Sequence, residues 1–307
     1  MKVVTAITER KGEIMKNIVT KQFSVLSDFM NVYGFMRDIY SKDWCNGVPA
    51  PFLEYAFYSF SYWMDLSYTY KNRIWLDNGE IVGFCFYTDP VTDIYFSLKP
   101  GYEEIAPEMI AYADRYMPHL NGNIQFILFQ GQEALMTAAD LAGYKQVSQF
   151  REWVYDFDRP LDYPLPDGFH FVNPAEHDMD KVSECCWKGF DHEDQEGPWN
   201  YQYIHNNHLL QIAPHATPEY PVAVANDRGE YVCWAGMWWV PENQLAYLEP
   251  FCVVPEYRRT GIASATLSEL YRRMKPLGAA YMTGGDNDFY QKMGFKPMVT
   301  WTFWKKQ

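Results

Sequence analysis

The chain has 307 residues, 48% of them hydrophobic and 18% aromatic, with a formal charge of −13. That length is about two domains' worth, and the composition supplies a full core to each, so disorder is a poor description of it. The negative balance, with no Lys/Arg stripe interleaved with aromatics, argues against nucleic acid as a partner; an acidic field favours cationic ligands, although acidic surfaces also serve solubility.

Residues 1–16 mix Lys, Arg and Glu without an apolar core or a small-residue cleavage site, so no export signal is expected. The longest apolar runs, 124–129 and 232–240, are strand-sized and far short of the roughly 20 residues that cross a bilayer. Six cysteines show neither CxxC nor His/Cys ligand spacing. They read as buried free thiols, which predicts a reducing, cytoplasmic compartment and no metal.

Residues 18–70 read as a helical opening. Asp77-Asn78-Gly79-Glu80 then marks a tight turn between two β-like runs. Pro100-Gly101-Tyr102 precedes a helical stretch to Met117, and Gly143-Tyr144-Lys145 leads a last strand containing Trp153. The same signals recur in the same order about 150 residues on, which argues for duplication. Asp227-Arg228-Gly229-Glu230, Pro255-Glu256-Tyr257 with a helix to Met274, and Gly294-Phe295-Lys296 with Trp304 are the matches. Between the copies, Pro160, Pro164 and Pro166 suit a stiff extended linker.

Each copy is therefore predicted to be a mixed α/β unit: helices, a hairpin, a third strand, a helix, a strand, a short helix and a last strand. The expected division is a first domain over 1–157, a linker over 158–168 and a second domain over 169–307, opened by helices in 174–210.

The second copy carries the chemistry. A strand running to Val254 is stopped by Pro255, and a helix follows in which Leu267, Leu270, Tyr271 and Met274 share a face. Between them, Arg258-Arg259-Thr260-Gly261-Ile262-Ala263 sets a glycine and a small residue where a helix begins. Unpaired amides and the positive end of the helix dipole make such a turn an anion site, and the arginines add charge. Further on, Asn287-Asp288-Phe289-Tyr290 opens a short helix for which Gly294 is the expected C-cap. Asn287 and Tyr290, three apart, would share one face, and Phe289 and Met293 would face the core. On the strand, alternation groups Glu249, Phe251 and Val253, and Pro250 points to a bulge or splay.

These segments resemble the GNAT superfamily, whose signature is R/Q-x-x-G-x-G/A after a strand ending V-x-P-x-Y. Here Val253-Val254-Pro255-Glu256-Tyr257 precedes Arg258 to Ala263, and the later segment is similar to the family's N-x-x-x-Y-x-K-x-G-F, with Asn287 one residue nearer the tyrosine. The resemblance covers nearly the whole chain and is specific over 245–304. It implies two tandem GNAT-like domains, each a mixed, mostly antiparallel sheet flanked by helices. It implies that acetyl-CoA is held by Arg258, Arg259, Thr260, Gly261, Ile262, Ala263 and Ser264 at the pyrophosphate, by Phe251, Cys252 and Val253 along the pantetheine arm, and by Asn287.

By the same resemblance Tyr290 is the proton donor to the departing thiolate, and Glu249 is a base, direct or through water, or a lining residue of the acceptor site. The acidic, aromatic stretch 190–199 offers Asp191, Glu193, Glu196 and Trp199 to a cationic acceptor, or is simply a solvated loop. His192, His205 and His208 form no convincing metal set. In the first copy, Glu103-Glu104-Ile105-Ala106-Pro107-Glu108 replaces the phosphate loop and Ala139 replaces the tyrosine, so that copy is expected to be a degenerate scaffold or to complete the acceptor pocket.

The expected function is an acetyl-CoA-dependent N-acetyltransferase passing acetyl directly to the primary amine of a small, cationic acceptor. The alternatives are a non-catalytic acyl-CoA sensor and an aminoacyl transferase of the tandem-GNAT type. Oligomeric state is not readable from the sequence.

Overall fold

The computed structural model describes residues 16–58, 64–200 and 211–306. They divide between two compact units, the first made of 16–56, 64–151 and 298–306 and the second of 57–58, 152–200 and 211–297.

In the first unit the sheet order is β1 (Ile18–Gln22), β2 (Arg73–Asp77), β3 (Glu80–Tyr87), β4 (Asp93–Leu98), β5 (Gln125–Phe129) and β12 (Lys296–Lys306). Every neighbouring pair is antiparallel except β4 and β5. The turn between β2 and β3 has Asn78 at φ 49° and Gly79 at φ 92°, the two left-handed residues that a tight hairpin requires. Helices α1 (Val25–Asp38), α2 (Ala50–Tyr58), α3 (Ala106–Tyr116) and α4 (Glu133–Leu141) complete the order. The opening is not wholly helical: Ile18, Val19 and Thr20 are β-branched and pair with β2 instead.

The second unit orders its strands as the end of β6 (Tyr144–Asp156), β11 (Tyr281–Thr283), β10 (Leu245–Val253), β9 (Tyr231–Val240), β8 (Val222–Asn226) and β7 (Phe169–Phe171). Its helices are α5 (Met179–Gly189), α6 (His192–Glu196), α7 (Ile262–Met274) and α8 (Asp288–Lys292). On one sheet face Leu267, Leu270 and Met274 of α7 pack with Val224, Val232, Leu248 and Met282. On the other, Val182, Cys185 and Cys186 of α5 pack with Trp234 and Cys252. All six cysteines are free thiols.

The units are not contiguous along the chain: residues 152–156, the end of β6, fall in the second unit, and 298–306 of β12 fall in the first. Residues Val154 to Asp156 of β6 pair with β11, whereas β12 pairs with β5 from Trp301↔Phe129 to Lys305↔Gln125. After a duplication the two slots are nearly equivalent, and either last strand satisfies the same ladder and core. The linker also differs from a free spacer. Leu161 is buried in the core of the second unit, the Tyr163 amide donates to Ser268 Oγ at 2.9 Å, and Arg159 donates to the Gly294 carbonyl at 2.6 Å.

Candidate active site

Strand β10 departs from regular pairing where the sequence places Pro250. Its register against β9 shifts between Leu248 and Phe251, with a cis peptide joining Glu249 to Pro250. Opposite the bulge stands Gly236, where a Cβ would lie 2.3 Å from the Glu249 carbonyl oxygen. On its other edge β10 runs parallel to β11 for only two pairs, Leu245↔Tyr281 and Ala246↔Met282. The strands then part, and Thr283 Oγ1 accepts the Leu248 amide at 2.8 Å.

Beyond that point alternation turns the amides of Phe251 and Val253 away from β9, since Val254 N–H bonds back to Val232 O at 3.0 Å. Those two amides find no acceptor among the described residues. An edge of this kind can take an extended, amide-bearing ligand as though it were a strand. Glu249, Phe251 and Val253 are half-buried while Pro250 and Cys252 are buried, which is the predicted alternation.

Where β10 ends, a short 3₁₀ turn (Pro255–Tyr257) leads to Arg259 at φ 64° and Gly261 at φ 98°, and α7 starts at Ile262. No side chain caps that helix. Its first amides are therefore available to an anion. Gly261 is exposed, and a Cβ there would meet only Pro166 Cγ, at 3.6 Å. Arg259 and Thr260 are exposed beside it, and Ala263 and Ser264 are half-buried in the first turn.

Arg258 is engaged within the chain. Its guanidinium donates to the Val253 carbonyl at 3.0 Å, the Gly189 carbonyl at 2.8 Å and Asp191 Oδ1 at 2.9 Å. It clamps the end of α5 to the end of β10, and Asp191 is thereby already paired.

The short helix α8 revises two further expectations. Asn287 is its N-cap, with Oδ1 accepting the Phe289 amide at 3.0 Å, so it does not share a helical face with Tyr290. Met293 is buried in the core and Phe289 packs half-buried against it, as expected, and Tyr290, at 8% exposed, is buried there as well. Its ring meets Phe295 at a centroid distance of 5.0 Å and lies against Gly285, where a Cβ would stand 2.9 Å from Cε2. Met293, not Gly294, is the C-cap, and Gly294 follows it in the left-handed region at φ 91°. Burial first, then the charge of Glu249, push the Tyr290 phenol well above its ordinary value.

Glu249 also borders a shallow, open cleft walled by Met179, Trp234, Met237 and Trp238. Trp238 Nε1 donates to the Glu249 carbonyl at 3.2 Å, fixing the bulge from this side. Asp191, Glu193, Glu196 and Trp199 do not line the cleft. Glu196 meets His192 Nδ1 at 2.8 Å, and Glu193 Oε1 lies 3.5 Å from the Trp199 amide. His205 and His208 lie outside the described residues. Sequence reasoning missed Trp234, Gly236 and Trp238, although their spacing of two on a strand puts them on one face.

The first unit lacks these openings. Strand β4 keeps its register with β3 from Ile94 to Leu98. The Leu98 amide donates to Asn46 O at 2.9 Å, Gln132 Nε2 donates to Phe96 O at 3.1 Å, and Gln132 Oε1 accepts the Phe129 amide at 3.0 Å.

Residues 177–295 match the family model described as the acetyltransferase (GNAT) family. The search of curated proteins finds no match. A tandem GNAT protein from the clavulanic acid biosynthesis pathway is 12% identical, with 94% of this chain and 98% of that one superposed at a TM-score of 0.59. A GNAT-family acetyltransferase from Colwellia psychrerythraea gives 12% identity, 94% and 100% coverage and 0.59. A GCN5-related N-acetyltransferase from Sphaerobacter thermophilus gives 12%, 94% and 95%, and 0.58. Residues 177–295, which hold the bulged, parting strand and the uncapped helix, thus form a GNAT-family domain, and the chain as a whole shares the fold of that tandem GNAT protein.

Proposed function

We propose that the second unit is an acetyl-CoA-dependent N-acetyltransferase acting on the primary amine of a small cationic acceptor. The observation that carries this reading is the pair of amides, Phe251 and Val253, which point away from β9 without an acceptor among the described residues and lead to the first turn of α7. A β-like edge followed by an anion cradle suits the pantetheine amides and the pyrophosphate of acetyl-CoA in that order. Acetyl-CoA supplies the activated acetyl group, which passes to the amine directly. The amides of Gly261 to Ser264 hold the pyrophosphate, Arg259 adds charge from the exposed loop, and Cys252 and Asn287 support the site through its backbone.

Glu249 holds the acceptor's ammonium group and takes its proton, directly or through water, before attack. Tyr290 stays protonated, because burial and Glu249 both disfavour its phenolate. A phenol held that far above the range of a thiol, about 8.5, stabilises the departing thiolate by hydrogen bonding more readily than by complete proton transfer. The first unit is a scaffold, and the setting is cytoplasmic.

Thiol release with acetyl-CoA across a panel of primary amines tests the proposal, with acetyl-CoA binding followed by calorimetry. Turnover that depends on Glu249 supports it. Binding without thiol release for any amine would favour the acyl-CoA sensor, a reading the burial of Tyr290 keeps in play, and absence of both would overturn the site.

A further inference from the structure

Leu248, Phe251 and Val253 of β10 stand opposite Met237, Ala235 and Cys233, alternate residues of β9, so all three turn their amides to the same side. The first of these amides is taken by Thr283 Oγ1 at 2.8 Å, where a regular parallel ladder would offer a main-chain carbonyl of β11. Both residues are buried, Leu248 at 5% exposed and Thr283 at 2%. The backbone of Thr283 stays with β6, opposite Val154, and the next amide, of Gly284, donates to Trp153 O at 2.8 Å. Strand β11 therefore keeps one neighbour as β10 leaves it, and a side chain spans the fork.

Each end of that hydrogen bond adjoins a group of the proposed chemistry. Glu249 follows Leu248 directly, and its carbonyl is held from the other side by Trp238 Nε1 at 3.2 Å. Gly284 and Gly285 follow Thr283, and their missing side chains make the seat of Tyr290. A Cβ would stand 2.6 Å from Cδ1 of that ring at Gly284 and 2.9 Å from Cε2 at Gly285. Glu249 and Tyr290 act on each other across the fork, since the carboxylate's charge adds to burial in raising the phenol.

We infer that Thr283 is a positioning residue, whose hydroxyl fixes where β10 parts from β11 and thereby sets Glu249 against Tyr290. The inference rests on the proposed reaction, in which these two groups serve the amine and the departing thiolate. With a methyl in place of the hydroxyl, the buried Leu248 amide loses its acceptor, and recovering a hydrogen bond requires β10 to shift. A displacement of about 1 Å between reacting groups costs roughly 100-fold in rate.

The test compares Thr283→Val, which keeps the shape and removes the hydroxyl, with Thr283→Ser, which keeps the hydroxyl. Turnover uses acetyl-CoA with whichever of 2-phenylethylamine, spermidine and kanamycin releases thiol in the wild type, and is expressed per folded chain beside a urea midpoint. Thr283→Val is expected to lower kcat at least ~10-fold with the acetyl-CoA dissociation constant within a few-fold of wild type, and Thr283→Ser to stay within a few-fold in both. Should Thr283→Val not fold, Thr283→Cys, a weaker acceptor of similar size, takes its place with the same loss expected. A purely structural role would lower the urea midpoint and leave kcat unchanged, and that result, or an equal loss of kcat in Thr283→Ser, would overturn the inference. If the wild type binds acetyl-CoA but releases no thiol with any of the amines, the proposed reaction fails, and hydrogen exchange at the Leu248 amide decides the role of Thr283. Exchange that is faster only where the hydroxyl is removed supports it; equal exchange in all the chains overturns it.

Discussion

Strands β4 and β10 hold corresponding positions in the two units, and their ends are built in opposite ways. Next to each, the following residue bonds back to the hairpin partner in the same manner: Lys99 N–H to Val82 O at 2.9 Å and Val254 N–H to Val232 O at 3.0 Å. One residue earlier they diverge. The Leu98 amide is taken by Asn46 O, and the space beyond β4 is bridged by Gln132, whereas the amides of Phe251 and Val253 stay open beyond a bulge. The helices that follow differ as well. Glu103 turns back onto the Gly101 amide at 2.9 Å where the second unit has an exposed Gly261. In the first unit the corresponding backbone groups are satisfied from within the chain, as buried amides must be.

The largest expected effect falls on turnover in the second unit. Tyr290→Phe is expected to lower kcat roughly 10- to 1,000-fold, with acetyl-CoA affinity within a few-fold of wild type, because the ring still packs and only the hydroxyl is removed. Steady-state rates at saturating substrates check it, and a wild-type kcat would remove Tyr290 from the chemistry. Gly261→Asp comes next. A carboxylate on the cradle should weaken acetyl-CoA binding at least ~10-fold by crowding and repelling the pyrophosphate. An unchanged dissociation constant by calorimetry would place the phosphates elsewhere.

The first unit should answer in stability and not in turnover. Gln132 is 4% exposed and serves both the Phe129 amide and the Phe96 carbonyl. Gln132→Leu should cost about 1–3 kcal/mol, read as a lower urea midpoint, while kcat per folded chain is unchanged. The smallest effect is expected from Glu103→Arg with Glu104→Arg, which leaves the plugged strand end intact and therefore should leave binding at one acetyl-CoA per chain. Two molecules bound per wild-type chain would contradict the contrast between the units.

Much of this organisation was legible in local chemistry. The hairpin at Asn78-Gly79, the stop at Pro255, the left-handed Gly261 opening a helix and the left-handed Gly294 after one are all short-range consequences of glycine and proline backbone geometry. Pro250 likewise announced the bulge, since it removes a ladder donor whatever surrounds it. The roles of individual polar side chains were less accessible. Asn287 could be read as a ligand or as a cap, and the difference lies in where the first helical turn begins. Arg258 and Asp191 are 67 residues apart in sequence, and nothing local says that they meet.

The sequence by itself determined two α/β units, the strand, loop and helix of the second, and the absence from the first of that loop's glycine and arginines. Those features depend on residues near one another along the chain. Only the tertiary structure decided which unit each closing strand joins, that Arg258 clamps α5 to β10, that Gln132 and Asn46 seal β4, and that Trp234 and Trp238 flank Glu249. Each of these is a contact between distant segments. Once secondary structure has formed, the buried donors, acceptors and apolar faces left over choose their partners in space, and no sequence spacing records that choice.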